Sequence, residues 1–370
     1  MKHLLLACAA VLGLAACNQV APGAGDEKDD KNSQAPAASG QSADQNADRY
    51  KGFAFADAPE PAQPFQAPAN MALEVALDRL GFSSGVIDGK VTRLDTAALK
   101  GFQAANNLPE TGKLDDATKQ ALGAAAQAPA TRMVTIPEEF ARGPFAPDLP
   151  KETGKQASFD HLSYRNLTEA LAERFHTTPE TLAALNGGPS AKVGAGAAIR
   201  VPNVADADAS KLGQDERGWN QTLLTLGVSP EQPQADRVEV SKSAGTLRAY
   251  DASGKLLAQF PVTTGSEHDP LPLGDWKIQG VSKNPDFHYN PKLFWDVSDA
   301  KKDALLKPGP NGPVGVVWLD LSKEHYGIHG TGEPASIGQS ESHGCVRLTN
   351  WDAARLAQMV KAGTKVVFKK

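Results

Sequence analysis

The chain has little cysteine: three in 370 residues, and two of these, Cys8 and Cys17, lie within the first seventeen positions. So sparse a set, grouped at one end, excludes a disulfide-stapled fold. It also lacks any block of basic residues. With 38 Lys and Arg against 43 Asp and Glu, a formal net charge of −5 and a pI near 5.9, it has no electrostatic footprint for nucleic acid, which is excluded as a partner. Long hydrophobic runs are missing too. The longest, Leu4 to Gly13, falls well short of the roughly 20 apolar residues that a spanning helix needs. The length suggests two or three domains.

What the N-terminus does have is a short basic start (Lys2, His3), that apolar stretch, and small residues leading to Cys17, the build of a secretory signal. Leu14-Ala15-Ala16-Cys17 resembles a bacterial lipobox. The resemblance implies cleavage before Cys17, lipidation of Cys17, and a membrane contact through the lipid anchor. An ordinary signal peptide with an incidental cysteine is the competing reading. If the lipobox operates, Cys8 is removed and Cys17 consumed, leaving Cys345 as the one thiol of an exported protein. Such a thiol is reactive or intermolecular. Asn18 after the cysteine favours a periplasmic lipoprotein of the outer membrane if the cell is Gram-negative.

The expected organisation is multidomain. Residues 18–67, rich in Ala, Gly, Ser, Asp and Pro, read as a disordered tether. Residues 68–125 read as three short helices, with Leu73, Ala76, Leu77 and Leu80 on one face of the first. Asp95 or Thr96 is the expected cap of the second helix and Asp115 that of the third. The order Ile87-Asp88-Gly89, Phe102-Gln103, Thr111-Gly112, Asp115, Thr118 and Leu122 resembles the three-helix peptidoglycan-binding domain. Residues 126–157 read as a linker. In 158–204, two helices (the second opened by Thr178-Pro179) and a strand at 198–202 resemble a LysM module, a small βααβ glycan-binding α/β fold, although Arg165-Asn166-Leu167-Thr168 stands where its Gly-Asp-Thr-Leu opening belongs. His176, in the turn between those helices, reads as a surface histidine. Residues 205–235 form a connector with an amphipathic piece at Trp219 to Leu226. From 236 to 370 the period becomes two, and a β-rich domain of sandwich type with one late helix is expected.

Chemistry concentrates in "ESHGCVRL", residues 341–348, and "YGIHGTG", residues 326–332. A cysteine nucleophile acts as thiolate, a minor species at neutral pH unless a base assists. His343, two residues before Cys345 in a tight turn, is poorly placed to aim at the sulfur. His329, delivered from a strand end, is the better base. Gly344 permits a sharp turn, the N–H groups of Gly344 and Cys345 can face an oxyanion, and Arg347 suits a carboxylate. His325, His329, His343 and Cys345 are also zinc-ligand types, but the strand reading of this stretch disfavours a metal site, and neither metal nor cofactor is expected. A buried structural thiol is the remaining alternative for Cys345.

His329-Gly330-Thr331, Ser336-Ile337-Gly338 and Ser342 to Leu348 together resemble the signature of the L,D-transpeptidases, the YkuD-type catalytic domain, and residues 309–321 its ErfK/YbiS-like branch. The resemblance implies Cys345 as nucleophile, His329 as base, His343 as a second essential histidine, and Gly344, Arg347, Ser342 and Gly330 around substrate and oxyanion. It implies release of D-alanine from peptidoglycan stem peptides through a thioester. The thioester then passes to another stem as a 3→3 cross-link, to a lipoprotein lysine, or to water. A carboxypeptidase or amidase, and a non-catalytic wall-binding lipoprotein, are the competing functions. Asp269 to Gly274 departs from the family's loop after the second strand and is given no role.

Overall fold

A computed structural model of the chain describes residues 48–291, 302–342 and 344–370. The expected signal, Cys17 and His343 lie outside the described residues, as does residues 18–47 of the expected tether.

The helical bundle consists of α1 (Met71–Arg79), α2 (Arg93–Ala105) and α3 (Asp116–Leu122). Its core is Ala76, Leu77, Phe82, Ala98, Leu99, Phe102 and Leu122. The cap of α2 is Thr92, earlier than expected. Its hydroxyl accepts the Leu94 N–H (3.1 Å) and the Asp95 carboxylate accepts the Thr92 N–H (2.6 Å), a reciprocal capping box that puts Asp95 inside the helix. Asp115 caps α3 by accepting the Thr118 N–H at 2.9 Å. Fully buried Gln103 donates to Thr111, Thr118 and the Lys113 carbonyl and accepts the Gly112 N–H at 2.8 Å. One amide thus shapes the whole α2–α3 loop, joining Phe102-Gln103 to Thr111-Gly112.

Two boundary expectations are corrected. Residues 48–67 are not all tether: Tyr50 and Phe55 are buried, and β1 (Ala56–Asp57) pairs antiparallel with β2 (Thr131–Thr135). That second strand lies in the expected linker. It also pairs antiparallel with β3 (Ala198–Pro202) around α4 (Leu167–Arg174) and α5 (Pro179–Leu185). The strand that pairs with β3 is thus Thr131–Thr135 and not the stretch before Leu167, and a short helix at Glu138–Ala141 stands between it and α4. The cause is local composition. The β-branched run at 131–136 is flanked by Ala and Pro, and what fixes it as a strand is pairing with a segment some seventy residues away. Asn166 caps α4 (2.9 Å to the Glu169 N–H) and Thr178 caps α5 (3.1 Å to the Thr181 N–H). Phe55 packs edge-on against Phe140 and Phe175 at 5.0 and 5.1 Å. Met71, Val75 and Ile87 of the bundle share this core.

The C-terminal domain contains β4 (Arg237–Ser241), β5 (Thr246–Tyr250), β6 (Leu256–Pro261), β7 (Gly274–Lys283), β8 (Phe287–Tyr289), β9 (Ala304–Leu306), β10 (Val317–Leu321), β11 (Gly327–His329), β12 (Val346–Arg347) and β13 (Lys365–Lys369). Among the described residues its main body is one sheet and not two stacked ones, with β8 and β9 paired apart from it. Eight strands form one mixed sheet in the order β12-β11-β10-β7-β13-β4-β5-β6. The ten-residue β7 is the reason: residues 274–277 pair with β13 and residues 278–283 with β10, so one twisted strand serves both halves and curls the sheet onto itself. Helices α6 (Trp219–Leu226) and α7 (Asn350–Met359) bury Trp219, Leu223, Trp351 and Leu356 against Val240, Phe260, Leu319 and Val346.

His176 is a further correction. It is fully buried at φ +55°, not a surface residue. Its ring stacks on Trp351 at 4.9 Å, with Nδ1 3.1 Å from the Asp78 carboxylate and Nε2 2.9 Å from the Leu226 carbonyl. Asp78 also receives both Arg355 Nη atoms at 2.9 Å. Burial alone would raise the Asp78 pKa, but Arg355 and His176 together hold it below the usual carboxylate range. The bundle, the α4–α5 module and the C-terminal domain thus meet at one buried polar cluster.

Candidate active site

Strands β11 and β12 are parallel neighbours in the register Ile328↔Val346 and His329↔Arg347. Ile328 and Val346 are buried in the core. Because side chains alternate along a strand, His329, Cys345 and Arg347 all fall on the opposite face. Trp318 of β10 stands opposite His329 and stacks on its ring at 5.6 Å and 25°.

His329 is buried, and its Nδ1–H donates to the Gly330 carbonyl at 2.7 Å. That bond assigns the tautomer and leaves Nε2 as the basic lone pair. Burial, followed by the positive charge of Arg347, pushes the imidazole down to about 3. Burial pushes the Cys345 thiol up, opposed by a backbone hydrogen bond from Gly327 and by Arg347. At neutral pH the pair is therefore thiol and neutral imidazole. The Cys345 Sγ lies 4.0 Å from the His325 carbonyl.

The loop that carries Cys345 is braced along its length. Ser342 Oγ donates to the Cys345 carbonyl at 2.6 Å, and the Ser342 N–H donates to the Thr264 carbonyl at 3.2 Å. Thr263 and Arg347 exchange backbone bonds of 3.1 and 2.9 Å. Gly344 adopts φ +100°, and a Cβ there would sit 2.7 Å from Tyr326 Cε1, so both backbone and ring demand glycine. Gly330 packs on Asn350, whose Oδ1 would lie 2.2 Å from an added Cβ. The Nε of Arg347 is buried and has no partner among the described residues.

The structure thus brings Cys345, His329, Arg347, Ser342, Gly344 and Gly330 into one place. Three further residues escape sequence reasoning. Trp318 and Tyr326 read as ordinary strand residues, and only cross-strand register puts them beside the histidine and the cysteine. Asp269, in the loop left without a role, donates its N–H to the Ser266 hydroxyl oxygen at 3.0 Å. Burial first, then Cys345 and Asp269, raise the Tyr326 pKa, so the Asp269 loop reaches the site. His325 is exposed and 3.4 Å from Glu324; among the described residues no three His, Cys, Asp or Glu side chains form a metal-holding group. A separate cavity of about 290 Å³, lined by Phe53, Phe140, Tyr164 and Gln221 among others, touches none of the candidate residues.

Comparison with known proteins matches two families. Residues 235–368 match the L,D-transpeptidase catalytic domain YkuD, and residues 67–122 match the "Putative peptidoglycan binding domain". The "Putative L,D-transpeptidase YkuD" of Bacillus licheniformis is 31% identical over 202 residues, 54% of this chain and 90% of that protein. Its Bacillus subtilis counterpart is 33% identical over 146 residues, 40% of this chain and 73% of that protein. The "Probable L,D-transpeptidase YbiS" of Escherichia coli is 43% identical over 135 residues, 35% of this chain and 44% of that protein. The catalytic domain match and relatives matched over most of their own length lead to one conclusion: this chain belongs to the L,D-transpeptidases and is an enzyme of that class, with a peptidoglycan-binding domain ahead of its catalytic domain.

Proposed function

We propose that Cys345 is the acyl-carrying nucleophile of a two-step transfer on peptidoglycan stem peptides. The observation that supports this best is the shared sheet face of Cys345, His329 and Arg347, with the His329 tautomer locked so that Nε2 can take a proton. In the first step Sγ attacks the amide between the stem's third residue and its terminal D-alanine. The thiol proton passes to His329 Nε2 and on to the departing D-alanine amine as the C–N bond breaks, leaving a thioester. In the second step an amine attacks the thioester, gives its proton to His329, and expels the thiol. A stem amine yields a 3→3 cross-link, and a protein lysine a wall-attached protein. Arg347, with its unpartnered Nε, is suited to a substrate carboxylate, and the N–H groups of Gly344 and Cys345 to the oxyanion. His343 is a second essential histidine in this reading. No cofactor takes part. The bundle holds the enzyme on the wall, the LysM-like module contacts glycan, and lipidated Cys17 anchors a periplasmic protein to the outer membrane.

The test uses protein lacking the first seventeen residues, incubated with a disaccharide tetrapeptide and read by mass spectrometry beside Cys345→Ala. A dimer short of one D-alanine, absent from the variant, is the expected product. Tripeptide alone would mean hydrolysis or a missing acceptor amine. Turnover surviving in the variant would overturn the assignment of the nucleophile.

A further inference from the structure

We propose that Arg93, on the peptidoglycan-binding bundle, is a positioning residue for the nucleophile's loop, so that the bundle is part of the catalytic scaffold as well as a wall-binding domain. The proposal rests on Cys345 being the nucleophile. The Thr92–Asp95 capping box makes Arg93 the first residue of α2, and one guanidinium nitrogen donates to the Gly338 carbonyl. Leu94 supports the same contact: its methyl carbons lie 3.0 and 3.4 Å from where a Gly338 Cβ would stand. The guanidinium is seated beside Gly245, where an added Cβ would be 3.2 Å from Nη1.

From Gly338 the contact continues inward. The Gly338 N–H donates to Thr263 Oγ1 at 2.8 Å, and Thr263 is the residue whose backbone clasps Arg347 from both sides. Thr264 and Ser266, next along, hold Ser342. Residues 333–341 are outside the main sheet, and their one regular element is a single 3₁₀ turn at Pro334–Ser336. Its own hydrogen bonds are local turn bonds, such as Ser336 N–H to the Glu333 carbonyl at 2.9 Å and Gln339 N–H to the Ser336 carbonyl at 2.9 Å, so its position against the sheet depends on what it packs on, and α2 closes its outer side. A displacement of this segment is transmitted through Thr263 to β12 and to the direction of the Cys345 thiol. Positional errors of about 1 Å at a reacting atom cost up to about a hundredfold in rate.

The experiment compares wild type, Arg93→Ala, Arg93→Lys and Cys345→Ala in the same protein lacking the first seventeen residues. Acylation of Cys345 by a carbapenem is followed by stopped flow and intact mass, alongside amide hydrogen exchange and thermal melting. Arg93 is exposed, so the fold survives its truncation. Arg93→Ala is expected to lower the limiting acylation rate about tenfold while half-saturation stays within about twofold. Exchange should speed up in peptides covering 333–347 and remain unchanged in α1 and α3, and Arg93→Lys should recover part of the rate. An Arg93→Ala enzyme with wild-type acylation rate and exchange overturns the proposal. An adduct that still forms on Cys345→Ala overturns the reading of the nucleophile instead, so the two failures are separable.

Discussion

The protonation state of the Cys345–His329 pair decides how the thiol is activated. Burial and Arg347 take the imidazole to about 3, and burial takes the thiol above its ordinary value of 9. Both shifts oppose moving a proton from sulfur to the ring at rest. A resting thiolate–imidazolium pair is therefore disfavoured, and the thiolate is a minor species at neutral pH. In the proposed mechanism the proton moves to Nε2 only as substrate arrives and the oxyanion is stabilised. Alkylation of Cys345 by iodoacetamide, which reads free thiolate, should climb about tenfold per pH unit from pH 6 to 9. It should show no plateau, and His329→Ala should change it little. Acylation by substrate uses neutral imidazole and neutral thiol together. It should be flat from about pH 4 to 8 and fall by about 10²- to 10⁴-fold in His329→Ala. The sign is fixed by the direction of both shifts: the ring is already deprotonated and the thiol still protonated across that window. An alkylation rate already level between pH 4 and 8, as a preformed ion pair produces, would refute the reasoning.

Other perturbations test the surroundings. Gly344→Ala combines φ +100° with a Cβ 2.7 Å from Tyr326 and should cost about 1–3 kcal/mol in the transition state, at least about fivefold in turnover; adding Tyr326→Ala should recover only the steric share, and a single variant within twofold of wild type would contradict the geometry. Asp78→Ala leaves Arg355 buried without its main partner and should destabilise by about 3–5 kcal/mol, read by denaturant unfolding; a loss under 1 kcal/mol would show the cluster to be unimportant. Glu173, buried and accepting the Asn350 amide at 2.9 Å, is pushed up by burial to about 8. The folded state keeps its proton between the ordinary carboxylate range and pH 8 while the unfolded chain has lost it, so stability falls as pH rises through that window. Glu173→Gln removes this contribution, and its melting temperature should gain on wild type steadily from pH 5 to 8; parallel curves would refute it.

What could be read from the sequence depended on how far apart the interacting residues stand. The surroundings of Cys345 were legible because Ser342 to Leu348 is one contiguous loop, and the bundle because Gln103 and the loop it organises lie within fifteen residues. Strand β2 was not, since five residues between Ala- and Pro-rich flanks acquire strand character only from β1 and β3. His176 looked like a turn residue because its partners are remote: Asp78 is 98 positions away, and Asp78 is joined to Arg355 across 277. The curled sheet escaped for a similar reason, as nothing within β7 announces that its two halves pair with different strands. Composition marked 126–157 and 205–235 as spacers, which implied modules strung loosely ahead of an enzyme. Yet a carboxylate on α1, a histidine after α4 and an arginine on α7 occupy one buried cluster, and a linker that only separated domains would have left each of those charges in water. Burying them is costly unless they are paired, so the cluster is a reason for the modules to stay docked. Arg93 can then act on the nucleophile's loop from a domain that sequence reading had assigned to wall binding alone.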